Sequence, residues 1–100
     1  MNNTQALTPD EAKAKIINIL ENGTVKISYH ILNDRLKLRN LSRRDICFAL
    51  ANGQVVSNEW DVNRQNWKYQ VTGFDVQGDE LTNVIVFFDT DFSLLVITAF

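Results

Sequence analysis

At Asn52-Gly53 the hydrophobic period of this 100-residue sequence changes from helical to alternating. Before that point apolar residues recur every three or four positions. After it they alternate with polar ones. The two patterns cannot share one element, because a helix repeats at 3.6 residues and a strand at 2. A single switch in a chain of this length predicts one domain, residues 1–100, of the α+β class.

The helical half carries its own punctuation. Thr8-Pro9-Asp10-Glu11 sets a capping threonine, a proline suited to the first helical position and a glutamate that completes a capping box. A helix through Glu11–Glu21 follows, with Ile16, Ile17 and Leu20 as its apolar stripe, and Asn22-Gly23 ends it. Thr24–Ser28 reads as a short strand. A second helix is predicted over about Tyr29–Arg39. A third starts at Ser42, where Asp45 stands in for the usual glutamate of a capping box, and stops at Asn52-Gly53.

Beyond the switch, Val55 to about Trp60 forms one predicted strand and Asp61–Asn66 a turn. Trp67, Tyr69 and Val71 alternate with Lys68, Gln70 and Thr72 in the next strand. Gln77-Gly78-Asp79-Glu80 is a hairpin turn. Leu81–Phe88 has too few polar residues to face water on either side. Asp89-Thr90-Asp91 turns the chain into Ser93–Phe100. The local connections predict three N-terminal helices packed on a four-stranded antiparallel meander.

Composition narrows the chemistry. Cys47 is the one cysteine and His30 the one histidine, so neither a disulfide nor a zinc cluster is expected, and no cofactor motif is present. A lone thiol in an apolar stretch suits a reducing, cytoplasmic setting. No run reaches the length of a membrane span. Charge is uneven: residues 24–53 hold six basic and two acidic groups, whereas residues 54–100 hold two basic and seven acidic ones. The net charge of −2 argues against strong nonspecific nucleic-acid binding, and the central excess permits one basic face.

Three groups of residues could carry chemistry. Arg35 and Arg39 fall within the apolar arc of the second predicted helix. A guanidinium there must snorkel, pair with a carboxylate or line a wet cleft, and its planar fork suits phosphate or carboxylate. His30, at the start of that helix, suits a general base, with Asp34 one turn away to orient it. Asp61, Arg64, Trp67, Lys68 and Tyr69 gather around the first hairpin. Aromatics interleaved with cations can stack bases and hold phosphates, or can simply face the core.

Together these segments resemble a known family. Ile27-Ser28-Tyr29-His30, Asp34-Arg35-Leu36, Arg39-Asn40-Leu41-Ser42, Asp45-Ile46, Ala49-Leu50 and Asn52-Gly53 follow one another as in the bacterial domain-of-unknown-function family 4258. Asp61 and Arg64, Tyr69-Gln70-Val71-Thr72-Gly73 and the final Ile97-Thr98-Ala99-Phe100 extend the likeness. It covers about residues 25–100, a core of 24–100 behind a variable N-terminal helix in 1–23.

The resemblance implies a fold similar to BrnT and RelE-like toxins, small endoribonucleases often paired with an antitoxin. On that basis His30 or Lys68 would assist removal of the 2′-hydroxyl proton. Arg35 would act with them on the reacting phosphate, and Arg39, Arg64 and Trp67 would hold RNA. No metal would be required, because the RNA supplies its own nucleophile. The alternative is a noncatalytic interaction module, immunity-like or regulatory, whose acidic C-terminal half binds a protein partner.

Overall fold

Both capping boxes read in the sequence start helices in the structure. The computed structural model of the chain describes residues 5–29 and 41–100. Helix α1 spans Pro9–Asn22. The Thr8 hydroxyl accepts the Glu11 N–H at 3.1 Å, and the Glu11 carboxylate accepts the Thr8 N–H at 2.9 Å. Helix α2 spans Arg43–Asn52. There Asp45 accepts the Ser42 N–H at 2.8 Å while the Ser42 hydroxyl accepts the Asp45 N–H at 3.2 Å. Each box satisfies backbone donors that a helix start otherwise leaves without partners.

Five strands follow or separate these helices: β1 (Thr24–Ile27), β2 (Gln54–Asp61), β3 (Asn66–Phe74), β4 (Glu80–Phe88) and β5 (Ser93–Ala99). They form one sheet in the order β1-β5-β4-β3-β2. The four later strands pair antiparallel with their sequence neighbours. The expected four-stranded antiparallel meander is nevertheless wrong as a description of the sheet. β1 joins it as a fifth strand, parallel to β5, with Val25 beside Leu94 and Ile27 beside Val96, so the sheet is mixed. The partner of β1 lies far along the chain, and alternation within four residues cannot reveal it. Where three helices were expected, two lie among the described residues. The helix expected over about Tyr29–Arg39 lies outside them, Tyr29 excepted.

One face of the sheet holds the core. Ala12, Ile16 and Ile19 of α1 and Ile46, Ala49 and Leu50 of α2 pack against Tyr69, Val71, Ile85, Leu94 and Val96. β4 lies in the centre of the sheet and is buried along most of its length, as its apolar run requires.

The helices are fixed to the sheet at one tight junction. The Lys13 ammonium on α1 donates to the carbonyls of Leu50 (3.3 Å), Ala51 (2.7 Å) and Gly53. It thereby caps the C-terminus of α2, where the helix dipole favours a cation. Beneath it α2 meets β3 without room for a side chain. A methyl group on Gly53 would meet the Ala49 carbonyl oxygen at 2.6 Å and the Thr72 oxygen at 2.8 Å. A methyl on Gly73 would strike the Ala49 oxygen and lie 2.8 Å from the Gly53 Cα. Asn52 completes the junction, accepting the Phe74 N–H at 2.8 Å and donating to the Phe74 carbonyl at 2.9 Å.

Two stability measurements follow from this packing. Gly73→Ala must push backbone against backbone, and urea denaturation should show a loss of about 2–3 kcal/mol. Asn83 is fully buried between Val71 and Ala99, and both polar atoms of its amide lack a hydrogen-bond partner. Asn83→Leu keeps the shape and removes the desolvated dipole, so it should stabilise the chain by about 1 kcal/mol.

Candidate functional site on the outer sheet face

The antiparallel register decides which side chains share the face turned away from α1 and α2. Lys26 pairs with Leu95, Leu95 with Val86, Val86 with Lys68 and Lys68 with Glu59. Side chains that pair directly across strands project to the same side. These five residues therefore form one row across all five strands. The adjacent row runs Thr98, Val84, Gln70 and Ser57.

Between these rows, along β2 and β3, the face is concave. A hollow of about 230 Å³ is lined by Ser57, Glu59, Lys68, Gln70, Val84 and Phe100, among others. Val84 gives it an apolar base and the residues of β2 and β3 a polar wall. The Lys68 ammonium stands 3.6 Å from the Glu59 carboxylate, whose side chain is 75% exposed. At that separation the pair is loose and both groups remain open to solvent. A carboxylate and an ammonium side by side supply a proton acceptor and a fixed positive charge, the two functions a transferring phosphate requires.

The remaining hairpin residues are distributed differently. Arg64 turns back to Asp61 at 2.8 Å, and the same carboxylate accepts the backbone N–H groups of Asn63 (3.0 Å) and Arg64 (3.2 Å). Arg64 thus holds the β2–β3 turn. Trp67 projects to the opposite face from Lys68, being its neighbour along β3. There it meets Trp60, its direct partner on β2, edge to face with ring centroids 5.5 Å apart. The structure therefore separates Lys68 from Trp67 and ties Arg64 to a carboxylate. His30, Arg35 and Arg39 lie outside the described residues. Cys47 is half-buried, and burial pushes its thiol up.

Residues 27–100 match the family model described as a domain of unknown function, DUF4258. The chain belongs to the DUF4258 family. No curated protein and no solved structure matches the chain. Every residue of the outer-face hollow falls within the DUF4258 match, whereas α1 lies wholly before it. Among the described residues no helix is long and apolar enough to cross a membrane.

Sequence spacing alone does not reveal Glu59, because its place opposite Lys68 depends on the register of the hairpin. Once Asp61 and Asn66 are paired as the last rung before the turn, counting outward sets Trp60 opposite Trp67 and Glu59 opposite Lys68. Ser57 required more, because a bulge at Val56 shifts the register between Val55 and Ser57.

Acid titration tests the electrostatics of this hairpin. The Arg64 hydrogen bond holds the Asp61 carboxyl below the usual carboxylate range, as the Lys26 hydrogen bond does for Asp91. A carboxyl depressed on folding stabilises above its unfolded value, about 3.9, and that stability is lost as pH falls through the folded value. The urea midpoint should therefore stay level from neutrality to about pH 5 and fall below about pH 4. Asp61→Asn should start lower at neutral pH, and its deficit should close as the medium becomes more acidic.

Proposed function

We propose that this chain is a metal-independent endoribonuclease of the toxin type, acting in the cytoplasm and paired with an antitoxin, with its reacting centre in the hollow on the outer sheet face. The observation that carries this reading is the Glu59–Lys68 pair, 3.6 Å apart at the wall of that hollow. RNA contains its own nucleophile, the ribose 2′-hydroxyl. Glu59 takes the 2′-proton as the 2′-oxygen attacks the adjacent phosphorus. The bond from phosphorus to the 5′-oxygen breaks and that oxygen takes a proton from water, leaving a 2′,3′-cyclic phosphate on one fragment and a 5′-hydroxyl on the other. Lys68 stabilises the negative charge that gathers on the phosphoryl oxygens during this exchange. Ser57 and Gln70 offer hydrogen bonds at the same wall. The roles that family resemblance suggests for His30, Arg35 and Arg39 belong to the same proposal.

A second reading, a noncatalytic protein-binding module, has its own supporting observation. Phe48, Phe74 and Val76 are 47%, 55% and 45% exposed. They are held by neighbouring anchors: Asn52 bonds the backbone of both phenylalanines, and Asp45 accepts the Val76 N–H at 3.1 Å. Exposed apolar side chains gathered into one patch mark interaction sites.

The two readings separate in one experiment. Purified wild type is incubated with single-stranded RNA in the presence of EDTA, and the product termini are analysed. The nuclease reading expects cleavage with cyclic phosphate ends. Glu59→Gln and Lys68→Met should each lower the rate by about 100-fold or more, on the scale of general-base and electrostatic contributions. His30→Ala and Arg35→Ala are measured alongside. Intact RNA, together with unimpaired growth of bacteria expressing the chain, would remove the nuclease reading and leave the binding module.

A further inference from the structure

Among the described strands β1 and β2 form the two edges of the sheet, and the edges are not alike. β1 is four residues long and carries Lys26, and its Val25 carbonyl accepts a hydrogen bond from the Arg43 guanidinium. Such features close an edge to further pairing. β2 is eight residues long, and six of them are exposed. Asn58 pairs with Tyr69 and Trp60 with Trp67, so both face the helices. Val56, two residues before Asn58, continues that row. All three are exposed, Val56 by 56% and Trp60 by 37%. Neither helix covers β2 here, and there is room beside it for another strand.

We infer that this strand is β2 of a second copy of the chain, paired antiparallel about a two-fold axis at Asn58. The spacing of the side chains selects that partner. Val56 and Trp60 stand two residues on either side of Asn58, so the axis sets Val56 of each copy opposite Trp60 of the other. An aromatic side chain beside a β-branched one is a favourable cross-strand pair. The two Asn58 amides meet at the axis, each offering a donor and an acceptor. On the outer face Glu59 falls opposite the partner's Ser57, so no like charges stand directly opposite. An axis one residue further on, at Glu59, would set two carboxylates against each other and is disfavoured. Charge and apolar matching thus agree on one register.

The bulge at Val56 limits regular pairing to Val56–Trp60. Five residues a side make a contact about 17 Å long. That is short of a standard interface, which takes about 800 Å² from each partner, so the dimer forms reversibly and at high concentration. Pairing also alters the hollow of the outer face. Ser57, Asn58 and Glu59 line it from β2, the strand at the free edge. The same three residues of the partner extend that wall, with the partner's Ser57 beside Glu59. The hollows of the two copies then join into one groove across the axis. The pairing does not rest on the nuclease reading, which concerns the chemistry inside the hollow.

Sedimentation equilibrium of the full chain, without RNA, tests the inference between about 10 μM and about 1 mM, the range in which so small a contact dissociates. A reversible monomer–dimer equilibrium is expected. Val56→Lys changes an exposed side chain and leaves the core as it is, which circular dichroism checks. It should weaken the dimer about tenfold or more, because the symmetry removes both Val–Trp pairs at once. Oxidative cross-linking locates the axis. In a Cys47→Ala background, Asn58→Cys should give a disulfide-linked dimer, since residues directly opposed across two strands come within disulfide range. Ala14→Cys, exposed on α1, should not.

A chain that stays monomeric to about 1 mM overturns the inference and leaves β2 to a strand of another protein. A dimer indifferent to Val56→Lys, or one that Asn58→Cys does not link, overturns it as well, because the two copies then meet through another surface. Since no RNA is present, failure here and failure of the nuclease reading are told apart.

Discussion

Backbone meets backbone in this protein where the last turn of α2 lies on Gly53 and Gly73 with no side chain between them. Everything else in the fold is spaced from that contact. It sets the height of α2 above β3, and so the depth to which Ile46, Ala49 and Leu50 reach into the sheet. The helix end left at the junction would present carbonyls without donors. Lys13 supplies them from α1, at the cost of a partly buried ammonium whose pKa burial draws down. The two helices are thus joined through a charge–dipole contact as well as through apolar packing, and both depend on the same few ångströms of clearance.

How much of this was legible in the sequence depended on how local each cause was. Capping boxes at Thr8 and Ser42 need only residues three positions apart, and both formed. The strands after Gln54 lie where alternation and turn residues set them, because each pairs with the strand just before or after it. β1 was legible as a strand and illegible as a member of this sheet. Its four residues alternate correctly, yet nothing within them specifies a parallel partner at Ser93–Val96. The adjacency of Gly53 and Gly73 was equally hidden, since an isolated glycine in a strand signals close approach without naming what approaches.

The candidate site shows the same division. Lys68 drew attention as a cation among aromatics, but sequence proximity grouped it with Trp67 and Arg64. A strand sends neighbours to opposite faces, so Lys68 and Trp67 serve different surfaces. Arg64, three residues from Asp61, closed on the nearest carboxylate and became part of the turn. The residue that does share a wall with Lys68 is Glu59, nine positions away and visible only through the register of the hairpin.

The position of β5 has a consequence for how the chain can be made. It is the last strand in order and yet lies between β1 and β4. A polypeptide emerging from the ribosome therefore carries β1 without its sheet partner until β5 has been synthesised. Throughout that interval β1 is open to any other extended segment nearby. Its brevity, and the lysine it carries at position 26, are what limit that hazard.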